Sequence, residues 1–427
     1  MSEPTAPFAD RDLRRIIQQV VESTPVIDLH THLFPPRFGA LSLWGIDELV
    51  TYHYLIAEVF RFTPLSPEHF WAMSKAEQAD LIWEHLFVRN TPLSEATRGV
   101  VAVLTAFGLD PAARDLREAR AFFASADVEQ HFHRVLDMAN VSAAVMTNDP
   151  FHTDEARVWC ASGGGNGRFH AALRLDPLLN QWETTPARLS AQGYGVSAAI
   201  DGQTAREARR FLDEWIARMQ PLYMAVSLPS DFAYPEQSAR AELLRQVIFP
   251  TAREHGVPFA MMIGVRRAVN PALRDAGDGV GKADLGAVEA ICRENPDCRF
   301  LVTVLSRENQ HELVVAARKF SNLLPFGCWW FLNNPSIVAE ITAERLEMLG
   351  SSFVPQHSDA RILEQVIYKW RHARRVVAEA LFASCRDLAA DGWPLTREHI
   401  ERDVRRLFSE NFSNWVGLDR PAVVPAE

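Results

Sequence analysis

Pro25-Val26-Ile27-Asp28-Leu29-His30-Thr31-His32-Leu33 decides how this chain is read. It is an apolar run of strand length that finishes in two histidines two residues apart. In a strand, residues i and i+2 point to the same side, so His30 and His32 present two imidazoles in one direction, as a metal ion requires. Turn signals follow at Pro35-Pro36 and Gly39. A second stretch of the same character lies near the other end: Ser352-Phe353-Val354-Pro355-Gln356-His357-Ser358-Asp359-Ala360-Arg361. Asp359 can supply a carboxylate oxygen from the end of that strand. Two nitrogens and one oxygen suit a catalytic zinc or a similar ion with open positions. His-x-His alone is common by chance and can be a solvated or hydrogen-bonded pair. The apolar run before it and the matching downstream pattern favour a metal-dependent enzyme built on a barrel.

Working outward, eight apolar runs bounded by turn signals read as strands: 25–33, 143–147, 168–175, 222–228, 258–265, 300–305, 324–329 and 352–356. Most lack polar alternation, as expected for strands of a parallel sheet buried on both faces. Helical patterns separate them at 204–219, 236–255 and 309–320. The fold class is therefore α/β, a (β/α)8 TIM-type barrel.

The spacing is uneven between the first two strands, where the pattern is helical. Ser66-Pro67-Glu68 offers a cap, a first-turn proline and an acidic residue before a helix over 70–88. Further helices are expected at 94–107, 111–124 and 127–139. This gives an all-helical insertion, 35–140, capping the mouth of a barrel made of 1–34 and 141–427. After the eighth strand come helices at 362–381 and 396–412. Gly163-Gly164-Gly165-Asn166-Gly167 lacks the Lys-Ser/Thr of a phosphate loop and reads as a turn.

The chain has 427 residues, 48% hydrophobic and 23% charged, which describes a globular protein with a substantial core. A formal net charge of −10 and no basic–aromatic array argue against nucleic acid or an anionic membrane as partner. Five cysteines without a C-x-x-C pair fit a reducing compartment. No signal-type segment and no run of about 20 apolar residues is present, so a cytoplasmic location is expected. A homo-oligomer remains open.

In such a barrel the active site lies at the carboxyl ends of the strands. The second strand ends in Asn148-Asp149, the third in Arg174-Leu175-Asp176, the sixth in Ser306-Arg307, the seventh in Trp329-Trp330 and the eighth in His357-Ser358-Asp359 before Arg361. Arg174 tops a strand face shared with His170 and could bind an anion through its planar fork. For Arg307, a salt bridge to Glu308 or Glu312 competes evenly with a substrate contact. Position favours a pocket role for one of Trp329 and Trp330. His53 and Tyr54 sit in an apolar helix-like run and by pattern alone read as core. The fourth strand has no Lys, and the fifth and sixth no His, so the bridging set of a two-metal hydrolase is missing and one metal is expected.

These residues together resemble the uronate isomerases of the amidohydrolase superfamily, particularly the shorter bacterial type. The resemblance runs nearly end to end and rests on Asp28-Leu29-His30-Thr31-His32-Leu33-Phe34, Leu49-Val50-Thr51-Tyr52-His53-Tyr54, residues 169–177, 306–311 and 326–331, and His357-Ser358-Asp359-Ala360-Arg361. It implies interconversion of D-glucuronate with D-fructuronate, and of D-galacturonate with D-tagaturonate, through a cis-enediol. It implies His30, His32 and Asp359 as ligands of one divalent metal, Zn2+ first, with Mn2+, Fe2+ or Co2+ as alternatives. It implies Tyr54 as the residue that moves the proton, with His53 beside it, Asp359 shuttling hydroxyl protons, Arg174 on the substrate carboxylate, and Arg361 and Trp330 in the active site. His311 is a candidate for assisting ring opening. The rival readings are a mononuclear metal-dependent hydrolase, distinguished by a product that differs from substrate by water, and an inactive sugar-acid binding protein.

Overall fold

The structure, a computed structural model, describes residues 9–162 and 167–418. The glycine cluster expected as a turn lies outside these residues, apart from Gly167.

A mostly parallel sheet, consistent with an α/β barrel, forms the centre. Its strands are β1 (Val26–Thr31), β2 (Val141–Asn148), β3 (Phe169–Arg174), β4 (Tyr223–Pro229), β5 (Phe259–Arg266), β6 (Gly279–Val280), β7 (Phe300–Val304) and β8 (Leu323–Pro325). Seven of them pair in parallel in the order β1-β2-β3-β4-β5-β7-β8, and β6 adds to β5 antiparallel. Helices fill the connections, as parallel pairing requires. The sheet is buried on both faces. Ile27, Val145, Ala172, Tyr223, Ala260 and Leu301 gather in one apolar cluster inside its curl. Their neighbours Val26, Ala144, Ala171, Met224, Met261 and Val302 pack outward with the helices.

The expected eighth strand is corrected. Within 352–356 only one bridge forms, Phe326 with Val354. Pro355 has no N–H to donate to a ladder. The segment nevertheless closes the gap between β8 and β1. Gly327 N donates to Val354 O (2.8 Å), Asp359 N to His30 O (3.2 Å) and His32 N to Ala360 O (2.8 Å).

All the elements described between β1 and β2 are helices. The helix expected over 70–88 is broken. Ser66 caps Pro67–Ala72, and then Ser74 and Glu77 form a capping box that starts a new helix, Lys75–Trp83. The helix expected from 111 begins only at Arg117, because Asp110 and Asp115 side chains accept from Ala112 N and Arg117 N and hold turns there. Past the sheet, Gln365–Ala390 is a 26-residue helix that packs on Asp10–Ser23. No described helix is long and apolar enough to cross a membrane.

Candidate metal centre

Strict alternation along β1 would place Asp28, His30 and His32 on one face and Ile27 and Leu29 on the other. The structure departs from this. Asp28 pairs with Ala144 and Thr31 with Met146, so β1 carries one extra residue there, a β-bulge. Leu29 stays with the interior cluster, and after the bulge His30 and His32 also turn inward, while Asp28 faces out toward Trp370. Bulges of this kind re-aim side chains, and here the re-aimed groups are the two histidines.

Hydroxyl groups fix both rings. Tyr223 Oη donates its single proton to Leu29 O (2.7 Å), beside the bulge. It lies 3.1 Å from His30 Nδ1, which must therefore be the protonated nitrogen. Thr147 Oγ1 donates to Thr31 O (3.0 Å) and lies 2.8 Å from His32 Nδ1, with the same consequence. Both Nε2 lone pairs are left free. They face Asp359 Oδ1, at 3.7 Å from His30 and 3.5 Å from His32. These separations are too long for hydrogen bonds. Ligands about 2.1 Å from a tetrahedral ion sit roughly 3.4 Å apart, so the spacing fits a metal between them. His30 Nε2 and Asp359 Oδ1 are buried and have no hydrogen-bond partner among the described residues. The three donor atoms all lie within 4.8 Å of one another. Donor chemistry, orphaned atoms and spacing all fit one divalent ion.

Asp359 is held by different means. Its φ of +52° lies in the left-handed region that a non-glycine residue rarely adopts. The segment before it is tied by side chains. Asp28 Oδ1 accepts from Ser358 N (2.9 Å) and its Oδ2 from Trp370 Nε1 (2.8 Å). Asn333 Nδ2 donates to Ser358 O (3.1 Å), and Gln356 Nε2 donates back to Asn333 Oδ1 (2.7 Å). Arg345, fully buried, donates to Gly327 O (2.9 Å), Val354 O (3.3 Å) and Gln310 Oε1 (3.1 Å). Gly327 is required: a Cβ there would meet His357 Nδ1 at 1.8 Å, and φ is +63°.

Electrostatics keep the two histidines neutral. Burial pushes His30 down to about 3, with His32 and Arg174 adding to the effect and Asp359 opposing it. Burial, then Arg361, Arg174 and Arg267, hold His32 well below the ordinary histidine range. The positive charge of three guanidiniums therefore reaches His32. Arg174 is gripped by Asp176, Nε to Oδ2 at 2.9 Å and Nη2 to Oδ1 at 3.1 Å. Arg361 is freer; its ion pair is a 3.7 Å approach to Asp275, a largely exposed carboxylate.

His53, Tyr54 and Trp330 join this group. The His53 ring lies 4.8 Å from Tyr54 and 5.9 Å from Trp330, and its buried Nε2 has no described partner. Burial, then Tyr52 and Asp359, raise Tyr54 well above the ordinary phenol value. Lys369 Nζ, paired with Glu95 at 3.1 Å, lies 5.7 Å from the Tyr54 ring centre. Trp330, φ +45°, stacks on Phe331 at 4.9 Å. Two sequence candidates are elsewhere. Arg307 is exposed and pairs with Glu340 (2.9 Å), not with Glu308 or Glu312, and His311 is exposed beside Glu344. Sequence reading passed over Tyr223, Thr147, Arg267 and Lys369, and named His357 only as a strand-end residue. Of these, only Arg267 carried a usable signal, as an arginine directly following a strand.

Comparisons with known proteins bear on this site. No protein-family model matches the chain, and no curated protein does. Solved structures do. A uronate isomerase from Bacillus halodurans C-125 is 55% identical, with a TM-score of 0.95 over 96% of this chain and 98% of its own. A glucuronate isomerase from Caulobacter crescentus (16% identical, TM-score 0.78, 100% and 98% covered) and a uronate isomerase from Thermotoga maritima (16%, 0.77, 95% and 97%) share the fold.

Proposed function

Since the chain belongs to the uronate isomerase family, we propose that it interconverts D-glucuronate with D-fructuronate, and D-galacturonate with D-tagaturonate. The observation that carries this reading is the gap of metal-ion size between His30, His32 and Asp359, with arginine charge felt at His32. We take the sheet as a (β/α)8 barrel of 1–34 and 141–427, with 35–140 as a helical cap over its mouth; the unbroken run of helices between β1 and β2 supports this. Five free cysteines support a reducing, cytoplasmic setting.

His30, His32 and Asp359 would hold one divalent ion, Zn2+ first among Mn2+, Fe2+ and Co2+. When bound, such an ion supplies Lewis-acid polarisation of a carbonyl. Every other task falls to the chain. Arg361 and Arg174 orient the hexuronate by its carboxylate; Arg361 is the freer of the two. Arg307, tied to Glu340, is left out of the site. Trp330 and His53, whose rings lie 5.9 Å apart, would shield the site from water.

The proton at C2 moves to C1 while a hydroxyl proton reaches the carbonyl oxygen at C1 and another leaves the oxygen at C2. Tyr54 carries the carbon-bound proton. Burial favours its neutral phenol, so its action as a base relies on nearby positive charge and on His53, whose free Nε2 can relay the proton. Asp359 shuttles the hydroxyl protons.

Proton NMR of each aldo-uronate in D2O with metal-loaded protein tests the reading. The keto-uronate should appear, and Tyr54→Phe should abolish turnover with metal content unchanged. No product from either sugar overturns it, as does a product that differs by water, which would indicate a hydrolase.

A further inference from the structure

A cavity lies away from the metal centre, between the helices Asp10–Ser23, Glu95–Phe107 and Gln365–Ala390. Its volume is about 670 Å3, the size of a small-metabolite site. Arg98, Arg371 and Arg375 line it, together with His372. None of the three arginines forms an ion pair with a described residue, in a chain whose net charge is −10. The neighbouring Arg374 is already spent on backbone carbonyls, Thr24 O (2.8 Å) and Asn140 O (3.1 Å) among them. Glu22 is the single carboxylate on the wall. Burial and then the positive field of Arg98, Lys369, Arg375 and Arg371 push His372 down to about 4. Beside the cationic groups, Val101 and Ala378 give an apolar wall.

We propose that this cavity binds the phosphate group of a small phosphorylated metabolite. Three guanidiniums from two facing helices offer forked donors that match the three acceptor oxygens of a phosphate dianion. A single carboxylate would leave most of these donors unmatched. The apolar wall accommodates the carbon body of an ester. The site stands or falls independently of the uronate reading, because it shares no residue with the metal centre.

Isothermal titration of the full-length protein with a hexose 6-phosphate, inorganic phosphate and D-glucuronate, each compared with Arg98→Ala/Arg375→Ala, tests the proposal. The ester should bind, and the double variant should weaken it about tenfold or more with its thermal midpoint unchanged. Arg218→Ala, in the helix Gly202–Met219 and outside this cavity, should bind normally. Inorganic phosphate binding as tightly as the ester, and equally lost in the variant, would support recognition of the phosphate group alone. No binding of either phosphate, or equal binding by the double variant, overturns the proposal. D-glucuronate binding that disappears in the double variant overturns the phosphate assignment.

Discussion

The two segments that meet at the metal centre are alike in sequence and unlike in construction. Within residues 25–33, Val26–Thr31 form a true strand whose backbone pairs with β2, and the two histidines are aimed by a bulge and fixed by two hydroxyls. Residues 352–361 make a single bridge, and side chains from Asp28, Asn333, Gln356 and Arg345 do what a ladder would have done. The difference teaches that a ligand can be placed by regular structure or by a polar network around a strained residue, and that the two respond differently to substitution.

The largest effect should come from the ligands themselves. Asp359→Ala or His30→Ala should lower turnover by about 1,000-fold or more and reduce bound metal, checked by steady-state kinetics with elemental analysis. If removal of Asp359 leaves both untouched, the two segments do not share an ion.

Next comes the support of the second segment. Arg345→Ala leaves two buried acceptors, Gly327 O and Gln310 Oε1, unpaired and should cost roughly 3 kcal/mol of stability in denaturant unfolding. Thr31→Val, on β1, removes two side-chain bonds, one donated to Val145 O and one accepted from Leu33 N, from a strand that keeps its ladder and should cost about 1 kcal/mol. Equal costs would erase the distinction between the two constructions.

The hydroxyl locks act on the first segment alone. Thr147→Val and Tyr223→Phe should each weaken metal binding about 10- to 100-fold while leaving the fold intact, measured by competition with a chelator. A smaller, opposed effect concerns acid. Burial depresses His30 and His357 to about 3 in the folded state against 6.5 unfolded. The unfolded chain therefore binds more protons between these values, and stability falls as pH drops from 6.5 toward 3. Asp28, raised by burial from 3.8 to about 6, works the other way within part of that window. With His32 and His53 also depressed, metal-free protein should show a falling thermal midpoint below pH 6.5.

Much of this was legible in the sequence because it is local. Apolar runs marked the strands, and His30 and His32 stood out at the end of the first. The bulge was not legible: the alternation of Val26 to Leu33 puts Asp28 and His30 on one face, and only the register against β2 separates them. The weak eighth strand had a local cue in Pro355, but its replacement by Arg345 and Asn333 depends on partners far along the chain. The helix Asp10–Ser23 lay outside the expected elements although Leu13, Ile16, Ile17, Val20 and Val21 form a stripe at helical period. Contacts such as Lys369 with Glu95 join distant segments, and no local pattern announces them.

The most direct test is anomalous diffraction at a metal edge from crystals of zinc- or cobalt-loaded protein. One peak within about 2.0–2.3 Å of His30 Nε2, His32 Nε2 and an Asp359 oxygen is expected. A peak that misses Asp359, or a pair of peaks bridged at this site, would contradict the account.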